Sequence, residues 1–148
     1  MNPTGESSQR AAHDISDAIL SHISNFAVGL VVREPGKGSK VLGSGVLVSI
    51  QGRRGILTCG HVAKVYANLA EIGLVRFFAG MGQQRRILQL GDTQTAIVQS
   101  SDSFSEKKEV LDLAFTILLP DAANSIEAHH GVFLNIEKNR VKMEALAP

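Results

Sequence analysis

The chain has one cysteine, Cys59, so it cannot close an internal disulfide. The disulfide-stapled scaffolds common among small secreted domains are thereby excluded. It also lacks any apolar run near the roughly 20 residues that a spanning helix needs. Its first residues, MNPTGESSQRAAHD, are polar and carry no apolar signal core. The expectation is a soluble, cytoplasmic chain with no membrane partner. Charge of one sign is missing as well: 15 Lys and Arg face 14 acids, for a net charge of +1. No global field recruits nucleic acid, and with only 5% aromatic residues the stacking platforms that hold single strands are scarce. No nucleic-acid partner is expected. The pairs Arg53-Arg54 and Arg85-Arg86 read as turn and strand-edge charges.

What remains is ordinary globular material: 148 residues, 44% hydrophobic and 20% charged, enough for one domain with a modest core. Residues 1–25 read as a tail and a helix. Ser7 or Ser8 is placed to cap it, and Ala11, Ile15, Ala18, Ile19, His22 and Phe26 follow at helical spacing. This amphipathic helix needs either the domain or a further neighbour to cover its apolar face. His13 and His22 lie on it and are assigned no role.

From residue 26 the pattern changes to short apolar runs separated by turn residues. Strands are expected at 26–32, 41–50, 55–58, 74–78, 86–90, 93–98 and within 110–119. The turns are Pro35-Gly36-Lys37-Gly38-Ser39 and Gln51-Gly52-Arg53-Arg54-Gly55. A meander of this kind favours an antiparallel all-β domain over residues 26–119. Val62, Val65, Tyr66, Leu69 and Ile72 return to helical spacing, with Gly73 placed to stop the helix. A short helix is therefore expected after His61. The polar segment 100–108 reads as a surface loop. Residues 120–148 read as a connector, with a weak helical signal at 122–128.

Two residues stand out chemically. His61 lies where an apolar strand breaks at a glycine and a helix begins. A side chain at a strand end is held firmly and can still face a cleft, and histidine exchanges protons near neutrality. A partly buried structural histidine satisfies the same pattern. Asp112 sits between Leu111 and Leu113 inside an apolar strand, where an unpaired carboxylate would be costly. It must find donors, either an imidazole Nδ1–H or the backbone amides of a turn.

Three segments occur in order: Gly43-Ser44-Gly45-Val46, then Thr58-Cys59-Gly60-His61-Val62, then Asp112-Leu113-Ala114. Together they resemble the first half of the trypsin-like (chymotrypsin-fold) serine proteases, of the bacterial, intracellular type. The resemblance covers residues 26–119. It implies a six-stranded antiparallel Greek-key barrel, the first of a double barrel. It also implies that His61 is a general base and Asp112 the carboxylate that orients it. The activity implied is hydrolysis of peptide or protein substrates by acyl transfer, which needs no cofactor. Cys59 and Gly60 replace the family's small pair, and Val62 stands where secreted members carry a disulfide cysteine.

The family's nucleophile lies in a Gly-x-Ser-Gly loop of the second barrel, and no such motif follows Asp112. Ser125 has no glycine beside it, and Ser44 belongs to the early strand. The expected role is the N-terminal part of a serine endopeptidase, inactive by itself. The competing expectation is a protease-derived β-barrel that binds a protein or dimerises through its exposed face. Phe133, Leu134 and Ile136 are expected to dock on a second barrel. Cys59 reads as a small hydrophobe; with His61 it offers two metal ligands, too few for a site. His129 and His130 read as surface residues, and no metal is expected.

Overall fold

A computed structural model describes residues 4–78, 82–100 and 111–144. The expected surface loop lies almost wholly outside the described residues. In chain order the elements are α1 (Thr4–Ser24), β1 (Ala27–Glu34), β2 (Gly38–Ile50), β3 (Arg53–Thr58) and α2 (Gly60–Tyr66). Then come β4 (Glu71–Phe78), β5 (Gly82–Gln89), β6 (Gln94–Ser100), β7 (Leu111–Ile117), α3 (Pro120–Ala128), β8 (Leu134–Asn135) and α4 (Ile136–Glu144). Helix α1 begins at Thr4, ahead of Ser7 and Ser8. Among the described residues no helix is long and apolar enough to cross a membrane.

The strands form one mostly antiparallel sheet in the order β5-β4-β1-β2-β3-β7-β6, with β8 pairing β2 in parallel. Among the described residues the sheet is not closed into the expected six-stranded barrel. Each edge strand has one neighbour among the described residues, β4 for β5 and β7 for β6. Yet the sheet cannot be flat. Seven strands about 4.8 Å apart would separate the two edges by roughly 29 Å. Only residues 90–93 join β5 to β6, and their five Cα steps reach about 19 Å at most. The sheet must therefore curl until its two edges approach at one corner. That corner is tied down: Leu90 N–H donates to Ala70 O at 2.8 Å, and Thr93 N–H and Oγ1 both donate to Leu90 O.

The concave face carries the core, with Leu30, Leu47, Ile56, Leu74 and Leu88 all 2% exposed or less. Tyr66 from α2 and Ile126 from α3 close it. The helical spacing read through Leu69 and Ile72 overran the helix: α2 ends at Tyr66, and Ile72 is a β4 residue paired with Leu88. Gly73 is not a helix stop. A Cβ there would collide with Val31 on the neighbouring strand, so its role is close strand approach. The weak helical signal at 122–128 corresponds to α3, with Pro120 in its first turn. Phe133, expected on a second barrel, instead packs partly buried against this core, and the Arg54 guanidinium lies 5.8 Å above its ring.

Arginines bind α3 to the sheet. Arg54 donates to Glu127 Oε2 at 2.5 Å and to Asn124 Oδ1 at 2.7 Å. Arg76, 3% exposed, donates to the carbonyls of His129 at 3.1 Å and His130 at 2.9 Å. It thereby satisfies acceptors left over at the end of α3. Burial, and then the positive charge of Arg86, lower the Arg76 guanidinium from its ordinary value.

A buried hydroxyl hub adds a polar contact to the core. Thr116 Oγ1, fully buried, lies 2.7 Å from Tyr66 Oη and 3.0 Å from Thr95 Oγ1. Thr116→Val should cost about 1–3 kcal/mol by stranding the Tyr66 hydroxyl, read from urea unfolding. Burial raises the Tyr66 phenol above its ordinary value, against a smaller lowering by the Thr116 bond. The folded state thus holds this proton more tightly than the unfolded chain. Its contribution is complete below about pH 10 and is lost as pH rises from there through the raised folded value. Tyr66 is the chain's one tyrosine, so phenolate absorbance follows it directly. The phenol should ionise later in the folded chain than in urea; coincident curves would refute the argument.

Candidate active site

Strand register brings His61 and Asp112 together. Strands β3 and β7 run antiparallel with Thr58 opposite Ala114. Carried two residues further, the same register sets position 60 opposite position 112. Side chains alternate across a sheet, so positions 58, 60, 112 and 114 share the concave face. Strand β3 stops at Thr58, whose Oγ1 donates to Ser44 O at 2.6 Å and anchors the strand end to β2. Cys59 keeps an extended backbone, φ −73° and ψ 145°, and α2 starts at Gly60. The first turn of α2 thus stands over the start of β7.

Asp112 uses both carboxylate oxygens on His61. Oδ2 lies 2.5 Å from Nδ1, and Oδ1 accepts the His61 backbone N–H at 3.1 Å. One bond orients the imidazole and the other fixes the carboxylate plane. The Asp112 side chain is 29% exposed and the His61 side chain 70% exposed. The imidazole is therefore gripped on its Nδ1 edge and open on the other. A carboxylate at Nδ1 selects the tautomer with the proton on that nitrogen, leaving a lone pair on Nε2. That is the state required of a general base.

Gly60 makes the approach possible. A Cβ there would lie 2.5 Å from Asp112 Oδ1 and 3.2 Å from Ile97 Cγ2. Gly43 serves the other side of α2, since a Cβ there would meet Val62 Cγ2 at 2.8 Å. Gly60→Ala should displace the carboxylate and weaken its hold on the imidazole. The expected loss is up to about 100-fold in any reaction that uses His61 as base, with little change in stability. Wild-type rates in Gly60→Ala would show that the close approach is not needed.

The other singled-out residues lie elsewhere. Ser125 receives a hydrogen bond from Arg86, and His129 Nδ1 lies 2.9 Å from Arg86 Nη2, so both belong to the α3 attachment. Ser44 is exposed on β2. Cys59, read from the sequence as a small hydrophobe, has an exposed thiol. One potential ligand atom from each of Cys59, His61 and Asp112 lies within 4.8 Å of the others. Sequence reasoning paired His61 with Asp112 only through the family resemblance and left Cys59 out, because it read that residue as a small hydrophobe. It missed Arg76 because nothing in Leu-Val-Arg-Phe-Phe marks its guanidinium as buried.

Comparison of the chain with protein-family models, curated proteins and solved structures returned no match.

Proposed function

We propose that this chain supplies the general base, His61, and its orienting carboxylate, Asp112, to a trypsin-like serine endopeptidase. The observation that carries the reading is the two-point grip of Asp112 on His61, through Nδ1 and through the backbone N–H. The sequence order of the motifs agrees with it. In such a reaction a serine hydroxyl attacks the peptide carbonyl. Nε2 of His61 takes the serine proton and later gives it to the leaving amine, while Asp112 stabilises the imidazolium in between. The nucleophile and the oxyanion donors would come from residues outside these 148, so the chain alone should hydrolyse nothing measurable.

Fluorophosphonate labelling of the longest polypeptide encoded around this chain tests the reading. One serine should be labelled, and His61→Ala should reduce labelling to background. Labelling at the wild-type rate in His61→Ala, or no labelled serine in the folded protein, would count against the proposal.

A second reading, a non-catalytic module for protein binding or dimerisation, has its own support. Helix α1 leaves Ile15 61%, Ile19 52%, Leu20 62% and Ile23 51% exposed. The convex face of β7 and β6 also exposes Leu111, Leu113 and Val98. Contiguous apolar surface of this kind marks association sites. Sedimentation at several concentrations checks it; a monomer throughout would remove self-association.

A further inference from the structure

We propose that Cys59, His61 and Asp112 form a binding site for a zinc-class divalent cation, and that the bound cation disables His61 as a base. The three residues contribute a thiol, an imidazole and a carboxylate, with one ligand atom from each inside 4.8 Å. In a tetrahedral zinc site, metal–ligand bonds of about 2.0–2.3 Å set neighbouring ligand atoms roughly 3.3–3.7 Å apart. The trio is therefore within about 1.5 Å of the required cage. Cys59 and His61 are both exposed, so the contraction moves no fully buried side chain, and the His61 ring need only give up its bond to Asp112 Oδ2. The 2.5 Å gap between Nδ1 and Oδ2 must open, with the metal taking the place of the proton between them.

The donor set argues for the kind of cation. Thiolate with imidazole selects zinc-class ions, whereas magnesium and calcium prefer oxygen-only cages. Three protein ligands on an exposed rim leave the fourth position to water. The His61 N–H on Oδ1 already orients the carboxylate, the service that outer-shell donors perform for metal ligands.

The proton balance explains the inhibition. Binding requires the thiolate, so the Cys59 proton leaves to solvent. A neutral imidazole that coordinates through Nδ1 keeps its one proton by carrying it on Nε2. The lone pair needed to accept a serine proton is then gone. This consequence rests on the general-base reading; cation binding does not.

The experiment uses Co²⁺ and Zn²⁺ on the chain itself. Co²⁺ should produce a thiolate-to-metal charge-transfer band at one equivalent, displaced by Zn²⁺ and absent in Cys59→Ser. Affinity for Zn²⁺ should fall at least about ten-fold in Asp112→Asn. No charge-transfer band in the wild type, or the same band in Cys59→Ser, would overturn the site. Nitrogen NMR of the His61 ring needs no variant. Without metal the proton should sit on Nδ1, and with Zn²⁺ on Nε2. A ring unchanged by Zn²⁺ also overturns the proposal, while leaving the metal-free tautomer to support the base. A metal-free ring with its proton on Nε2 counts against the base and leaves the charge-transfer result standing.

Discussion

If His61 serves as the proposed base, Asp112→Asn should lower fluorophosphonate labelling of the longest polypeptide encoded around this chain by about 10⁴-fold while the fold survives. The two bonds of Asp112 respond differently to the change. The bond from the His61 backbone N–H to Oδ1 needs an acceptor, and the amide oxygen of Asn supplies one. The bond at Nδ1 needs an acceptor as well, yet the Asn side chain would present its NH₂ there. An imidazole facing a donor turns its lone pair toward it and carries its proton on Nε2. The base is then in the wrong tautomer, although every atom keeps nearly its old place. The substitution should leave the urea unfolding midpoint almost unchanged, because the site is half open to solvent. Ring-nitrogen NMR of the 148-residue chain should show the proton moved from Nδ1 to Nε2. An unshifted tautomer together with an unshifted rate would show that Asp112 does not orient His61.

Gly55→Val should destabilise the fold by about 3 kcal/mol or more, the upper range for overpacking a close-packed interior. Gly55 is buried in β3 opposite Ile117 of β7. Even a Cβ at this position would press well inside contact distance of the Phe115 ring and the Thr116 carbonyl. The carbonyl is the decisive obstacle, because it is backbone and cannot swing aside as a side-chain tip does. Relief requires β3 and β7 to part, and that pairing also sets the register holding Asp112 to His61. Gly55→Val should therefore shift the urea midpoint at constant slope and also weaken the His61 tautomer signal. Gly52→Ala has open space around its Cβ, and its cost comes only from its φ of 75°. A smaller loss in Gly55→Val than in Gly52→Ala would show that β3 and β7 are not tightly packed.

The strands were legible because their chemistry is local. Gly36 and Gly38 adopt positive φ at the first turn and Gly52 at the second, and the short apolar runs on either side of these turns define β1, β2 and β3. The overrun at α2 shows where local pattern fails. Leu69 and Ile72 continue a helical period, but Ile72 gains more by pairing with Leu88 across two strands. A one-dimensional pattern cannot weigh that pairing. Phe133 was misplaced for the same reason, since an apolar residue near the end of a domain reads equally well as a contact for a further domain. Its actual neighbours are the core and Arg54.

From the residues alone came the antiparallel β class, the strand-to-helix break at His61 and the oddity of a carboxylate at position 112. Each depends on chemistry within a few residues of chain. Tertiary structure decided that the curled sheet stays open, that Arg76 is buried beneath the end of α3, and that Cys59 stands beside His61 and Asp112. These outcomes depend on how strands far apart in sequence share hydrogen bonds and space, and no local period encodes that.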